Sequence, residues 1–91
     1  MDKYFLAVNK VKSSTSGGDL QKLLPAHIDW IKGQIAEGRV VQAGKWGTEA
    51  GMAILKAASL AEAEDLIGRD PFINSGLVAL EVAEFLPHVE M

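Results

Sequence analysis

Two stretches of helical periodicity, each followed by a glycine and each flanked by short β-branched or aromatic runs, set the order of elements that this chain can form. From Pro25 to Glu37 the apolar residues Ile28, Ile31 and Ile35 fall on one stripe, with Pro25 suited to a first helical turn and Gly38 to the position just past the end. Ser59 with Glu62 makes a capping-box pattern, S-L-A-E, which Leu60, Ala63, Leu66 and Ile67 continue as a second helix ending at Gly68. Around these lie strand-like runs: Tyr4 to Val8, ending near Lys10 or Val11; Arg39 to Trp46 and Gly51 to Ala57, joined as a hairpin by a glycine-containing turn; and Leu77 to Phe85. Asp70 precedes Pro71 and is pushed out of the helical region, so Phe72 to Gly76 reads as a compact turn before the last strand. Ser13 to Gly18, S-S-T-S-G-G, reads as a mobile loop, with a looser turn allowed at Leu20 to Leu24 before the first helix.

The resulting order, β-α-β-β-α-β, is the split βαβ or ferredoxin-like arrangement of the α+β class. Right-handed crossovers place both helices on one face of a four-stranded antiparallel sheet. The 91 residues suffice for a single domain, 1–91, and 48% of them are hydrophobic, enough for a small core. Two helices cover only one sheet face. The other is expected to carry alternate residues such as Phe5, Ala7, Ala43, Ala79, Ala83 and Phe85, too apolar a set for water. A face-to-face homodimer, a dimeric α/β-barrel type of assembly, would bury them and stabilise a small domain.

Charge and composition exclude several classes of partner. A net charge of −3 supplies no long-range positive field to draw in nucleic acid or an anionic membrane, and no apolar stretch is long enough to span a bilayer. The strands lack the aromatic stacking motif of RNA-recognition domains, which share this topology. Gly44-Lys45 is no phosphate loop, since the preceding glycines and a following Ser or Thr are missing. With no cysteine there is neither a disulfide framework nor a thiolate metal site, which suits a reducing cytoplasm; the N-terminal residues show no secretion-signal pattern, and a cytoplasmic location is the expectation.

One titratable pair is placed for chemistry. The topology brings the amino end of the first helix, the carboxyl end of the second and the hairpin between the second and third strands to one edge of the sheet, so His27 and Asp70 share that edge with Lys45, Trp46, Thr48, Glu49 and the Ser13 to Gly18 loop. At about 100° per residue, His27 lies roughly 70° from the centre of the Ile28, Ile31, Ile35 stripe, at the boundary of the buried face, where it can point into a cleft. A first-turn position disfavours the imidazolium through the helix dipole while a nearby Asp70 carboxylate favours it and fixes the tautomer. That balance suits a histidine that takes and returns a proton. The alternative is a structural hydrogen bond at a helix start, with Asp70 capping the Pro71 turn.

The other residues carry similar pairs of readings. Trp46 either walls an aromatic ligand or packs across the dimer interface. Trp30 covers the sheet edge or a partner chain. Ser75 and Asn74 either donate to a bound oxygen or satisfy their own turn, and His88 is exposed in the tail.

The segments P-A-H-I-D-W-I, E-G-R-V-V-Q-A-G, A-S-L-A-E-A-E-D-L and R-D-P-F-I-N-S-G-L-V-A-L-E-V-A-E-F-L-P, in this order and spacing, resemble the YCII-related family of small ferredoxin-like proteins over nearly the whole chain. The resemblance implies a dimeric α+β fold, a His-Asp active-site pair at His27 and Asp70, and no metal or organic cofactor. Two positions depart from the family pattern: Leu24 stands where an arginine often precedes the P-A-H motif, and Lys45 follows Gly44 where proline is frequent. The departures remove one positive charge from the pocket edge, and the topology lets Lys45 restore it.

The expected function is a small cofactor-independent enzyme of the lyase or isomerase type. His27 serves as acid and base, Asp70 orients it, and Lys45, Trp46 and Ser75 contact a small polar, cyclic or aromatic substrate. A non-catalytic dimeric module that binds a small molecule or a larger enzyme through the same cleft is the competing expectation.

Overall fold

A computed structural model of the chain describes residues 2–12, 17–47 and 50–89. The elements are β1 (Lys3–Val11), α1 (Gly17–Ala36), β2 (Val40–Trp46), β3 (Ala50–Ala57), α2 (Leu60–Ile67), a short α3 (Pro71–Asn74) and β4 (Val78–Phe85). The strands form one antiparallel sheet in the order β2-β3-β1-β4, the ferredoxin-like topology.

Local chemistry accounts for most boundaries. The Ser59 side chain accepts the Glu62 N–H at 3.2 Å and starts α2 as the capping pattern requires. Gly38, at φ 78°, lets the amides of Gly38 and Arg39 turn back onto the carbonyls of Ile35 and Gln34, closing α1 before β2. Asp70 caps α3 by accepting the Phe72 N–H at 3.1 Å, with Pro71 in the first helical position.

Three expectations need correction. Helix α1 begins at Gly17, not Pro25, so Gly17 and Gly18 belong to its first turn and Pro25 lies in its interior, where it forfeits one intrahelical hydrogen bond. Pro25 suits a first turn so well that it masks the preceding leucine-rich turns, whose Leu20 and Leu24 continue the stripe of Ile28, Ile31 and Ile35. His27 therefore sits mid-helix, where the dipole effect of a first turn has faded. The segment after Asp70 opens as the helical turn α3 rather than as irregular chain. The rest of the expected loop, Ser13 to Ser16, and the hairpin residues Thr48 and Glu49 lie outside the described residues.

The third correction concerns the faces of the sheet. Phe5, Ala7, Val40, Ala53, Leu55 and Ala57 pack with Ala63 and Ile67 of α2 into the core, and Trp30 and Ala43 lie partly buried against it. Phe5, Ala7 and Ala43 thus face the helices, not the open side. The open side carries their alternates: Tyr4, Leu6 and Val8 on β1, Met52 and Ile54 on β3, and Ala79, Ala83 and Phe85 on β4. Because β1 is apolar at both odd and even positions, alternation alone leaves its parity undetermined. An apolar open face survives the correction, with different members.

Candidate active site

Where the C-terminal end of β1 and the β2–β3 hairpin pass beneath α1, the helix stands off the sheet and leaves a cavity of about 560 Å³. Its helical wall is Leu20, Leu24, His27, Ile28, Ile31, Lys32 and Ile35; its floor is Asn9, Val11, Gln42 to Lys45, Ala50, Gly51 and Val78, with Phe72 closing one side. The isoleucine stripe read as a buried face lines this opening, which is why Ile28 and Ile35 are 41% and 38% exposed.

Residues His27 and Asp70, 43 positions apart in sequence, meet here. His27 Nδ1 lies 2.7 Å from Asp70 Oδ1. The Asp70 oxygen that engages the ring also accepts the Phe72 N–H, so one carboxylate holds both the imidazole and the turn that carries it. Asp70 is 1% exposed, whereas His27, 20% exposed, reaches the cavity. The Phe72 ring stacks on the imidazole with centroids 4.0 Å apart and planes within 2°. A hydrogen bond to Nδ1 fixes rotation about the ring's long axis and stacking fixes its plane, so the imidazole is held in one orientation.

A carboxylate oxygen accepts, so Nδ1 carries the hydrogen, and Nε2 is the ring nitrogen left for chemistry at the cavity. Such a geometry allows the ring to act as acid and base, with the carboxylate orienting it. Sequence alone does not single out Phe72; its partner His27 is distant along the chain, and only the D-P-F turn hints at its place.

The remaining expected residues separate. Lys45 lines the cavity, as does Leu24, at the position where the family resemblance puts arginine. Lys32 joins Lys45 on the wall, and among the described residues no Asp or Glu lines it, so the cavity is locally cationic within an acidic chain. Trp46 is not on the wall: it follows Lys45, which lines the cavity, and strand alternation turns it to the open side of the sheet, with the indole 56% exposed. Ser75 lies outside the cavity; its hydroxyl donates to the Phe72 carbonyl at 2.6 Å and accepts the Leu77 N–H at 3.1 Å, the turn-internal alternative. Trp30 packs against the core rather than covering an edge. Among the described residues no cluster of three or more His, Cys, Asp or Glu side chains has the geometry to hold a metal ion, and no helix is long and apolar enough to cross a membrane.

Comparison with known proteins gives a family and a fold. The YCII-related domain family matches residues 3–86. Among solved structures, the chain is similar to 5-chloro-2-hydroxyhydroquinone dehydrochlorinase of Burkholderia phenoliruptrix, in complex with 2,5-dihydroxybenzoquinone, with TM-score 0.74 and 21% identity over 91% of this chain and 93% of that one. It is also similar to muconolactone isomerase, with TM-score 0.71 and 15% identity over 93% and 90% of the two chains. No curated protein matches the sequence.

Proposed function

This chain belongs to the YCII-related domain family, and from that starting point we propose that it is a small cofactor-independent enzyme, of the lyase or isomerase type, that moves a proton on a small oxygenated ring compound. The observation that carries this reading is the His27–Asp70 pair: a ring fixed at 2.7 Å by a buried carboxylate, stacked on Phe72, at the wall of an open cavity. His27 Nε2 removes a proton from substrate and returns it elsewhere; Asp70 orients the ring and stabilises the imidazolium that forms in between. Lys45 meets an anionic oxygen of the substrate, and the Leu24, Ile28 and Ile31 wall accepts its apolar face.

The two similar structures, a hydroxyhydroquinone dehydrochlorinase in complex with 2,5-dihydroxybenzoquinone and a muconolactone isomerase, support a small oxygenated ring as substrate. A homodimer formed through the open sheet face belongs to the same proposal. Trp46, on that side, fits an interface between copies better than a ligand wall.

Solvent-deuterium exchange tests the catalytic claim across a panel of candidate substrates. Small cyclic ketones, lactones and hydroxyquinones, including 2,5-dihydroxybenzoquinone, are incubated with protein in D₂O and followed by NMR. The wild type is expected to accelerate exchange at a carbon-bound position of at least one compound. His27→Gln is expected to slow it by about 100-fold or more while the compound still binds. Binding with no exchange in any compound would favour a non-catalytic binding module.

A further inference from the structure

After Lys3 at the start of the strand, the row of β1 side chains on the helix side runs Phe5, Ala7, Asn9, Val11, so one amide interrupts its apolar members. Phe5 and Ala7 are buried, and Asn9 comes next on the same face, at the cavity floor. Opposite it in register is Gly51 of β3. A Cβ added at Gly51 would stand 3.0 Å from Asn9 Nδ2 and 3.2 Å from Oδ1, so the amide lies directly over the glycine and occupies the space that any larger residue would take. Among the described residues the Asn9 side chain has no hydrogen-bond partner. The amide is half-buried and open to the cavity, a polar group without a protein partner on a mostly apolar floor. Local conflicts of that kind are expected where a site serves a ligand.

We propose that Asn9 is a ligand-binding residue of this cavity, its amide N–H donating to a carbonyl oxygen of the molecule on which His27 acts. The assignment rests on the acid–base reading of His27 and narrows its substrate to compounds bearing a carbonyl next to an acidic C–H. When His27 Nε2 takes that proton, the C–H electron pair forms the C=C bond of an enolate and the carbonyl π pair moves onto oxygen. The Asn9 N–H then faces a full negative charge, and its hydrogen bond strengthens as the barrier is crossed. Return of the proton from Nε2 to carbon regenerates the carbonyl and the neutral imidazole. Lys45, on the same wall, adds positive charge to the region that receives the developing anion.

The test is calorimetric titration of 2,5-dihydroxybenzoquinone, a planar acid with two carbonyls, into wild type, Asn9→Ala and Asn9→Asp. Loss of one neutral hydrogen bond is expected to weaken binding by about tenfold in Asn9→Ala. Asn9→Asp keeps the size but replaces the donor with a negative acceptor, and should bind more weakly still. The urea midpoint of Asn9→Ala is expected to stay close to that of the wild type, since the half-buried amide has no partner among the described residues to lose, which separates this role from a structural one. Wild-type affinity in Asn9→Ala, or stronger binding in Asn9→Asp than in Asn9→Ala, would overturn the assignment of Asn9 alone. Absence of binding to the wild type would overturn it together with the proposed ligand class.

Discussion

Replacement of Asp70 by alanine is expected to lower folding stability by about 3 kcal/mol. Asp70 is 1% exposed and holds two groups at once, the His27 ring at 2.7 Å and the Phe72 amide at 3.1 Å. Truncation leaves the amide without its cap, which costs about 1 kcal/mol, and leaves a partly buried imidazole N–H without an acceptor, which costs about 1–3 kcal/mol more. Asp70→Asn retains an acceptor oxygen for one or both donors and should cost only about half as much. Urea denaturation of the two variants measures the difference. Combining Asp70→Ala with His27→Ala in a double-mutant cycle isolates the pair, for which a coupling of about 1–2 kcal/mol is expected. A loss below about 1 kcal/mol in Asp70→Ala would show that the carboxylate does not hold the ring. The result also bears on the proposed catalysis, since an imidazole loosened by the same substitution loses the fixed orientation that proton transfer would need.

Elements with local signals are legible in the sequence. Ser59 and Glu62 announce the start of α2 because both halves of the cap lie within one turn, and Gly38 announces the end of α1 because only a glycine takes φ 78° without strain. Topology places the carboxyl end of α2, and Asp70 after it, at one edge of the sheet, but His27 lies in the middle of α1 and not at a helix end, so its approach to Asp70 is a contact that topology predicts only from a misplaced helix start. What the sequence leaves open depends on contacts across the chain. Pro25 favours a helix start by sequence, because an interior proline forfeits a hydrogen bond, yet the helix runs through it to Gly17 with Leu20 and Leu24 on the cavity wall. The faces of β1 are interchangeable by pattern because Phe5 and Leu6 are both apolar; which one goes inside is decided by interleaving with Leu55 and Ile67. Phe72 stacks on a ring far away in sequence, and Asn9 acquires its meaning only from the glycine across the sheet. For Trp46 the hairpin pattern indicates the end of the sheet but leaves its side open between a ligand wall and the dimer face, because one residue in a period of two separates them, and the indole lies on the open side.

Charging the open face of the sheet is expected to split the proposed dimer. Leu6 is central on that face: Ile54 and Ala83 are its register partners on the two adjoining strands, and Val8, Met52, Tyr4 and Phe85 surround it. The set is mostly apolar, enough to drive association, with Lys56 and Glu81 at diagonal positions beside Leu6 and Lys10 toward one end. Leu6→Lys places an ammonium at the centre, where pairing two copies would desolvate two like charges against apolar side chains. The dissociation constant should rise by about 100-fold or more, the scale of a central interface residue. The substitution is tolerable in the single chain because the side chain points away from the core under α2. Sedimentation velocity at low micromolar concentration is expected to show a dimer for the wild type and a folded monomer for Leu6→Lys, with Arg69→Ala, exposed on the helix side, remaining dimeric. A monodisperse wild-type monomer at that concentration would remove the homodimer and leave the apolar open face to some other partner.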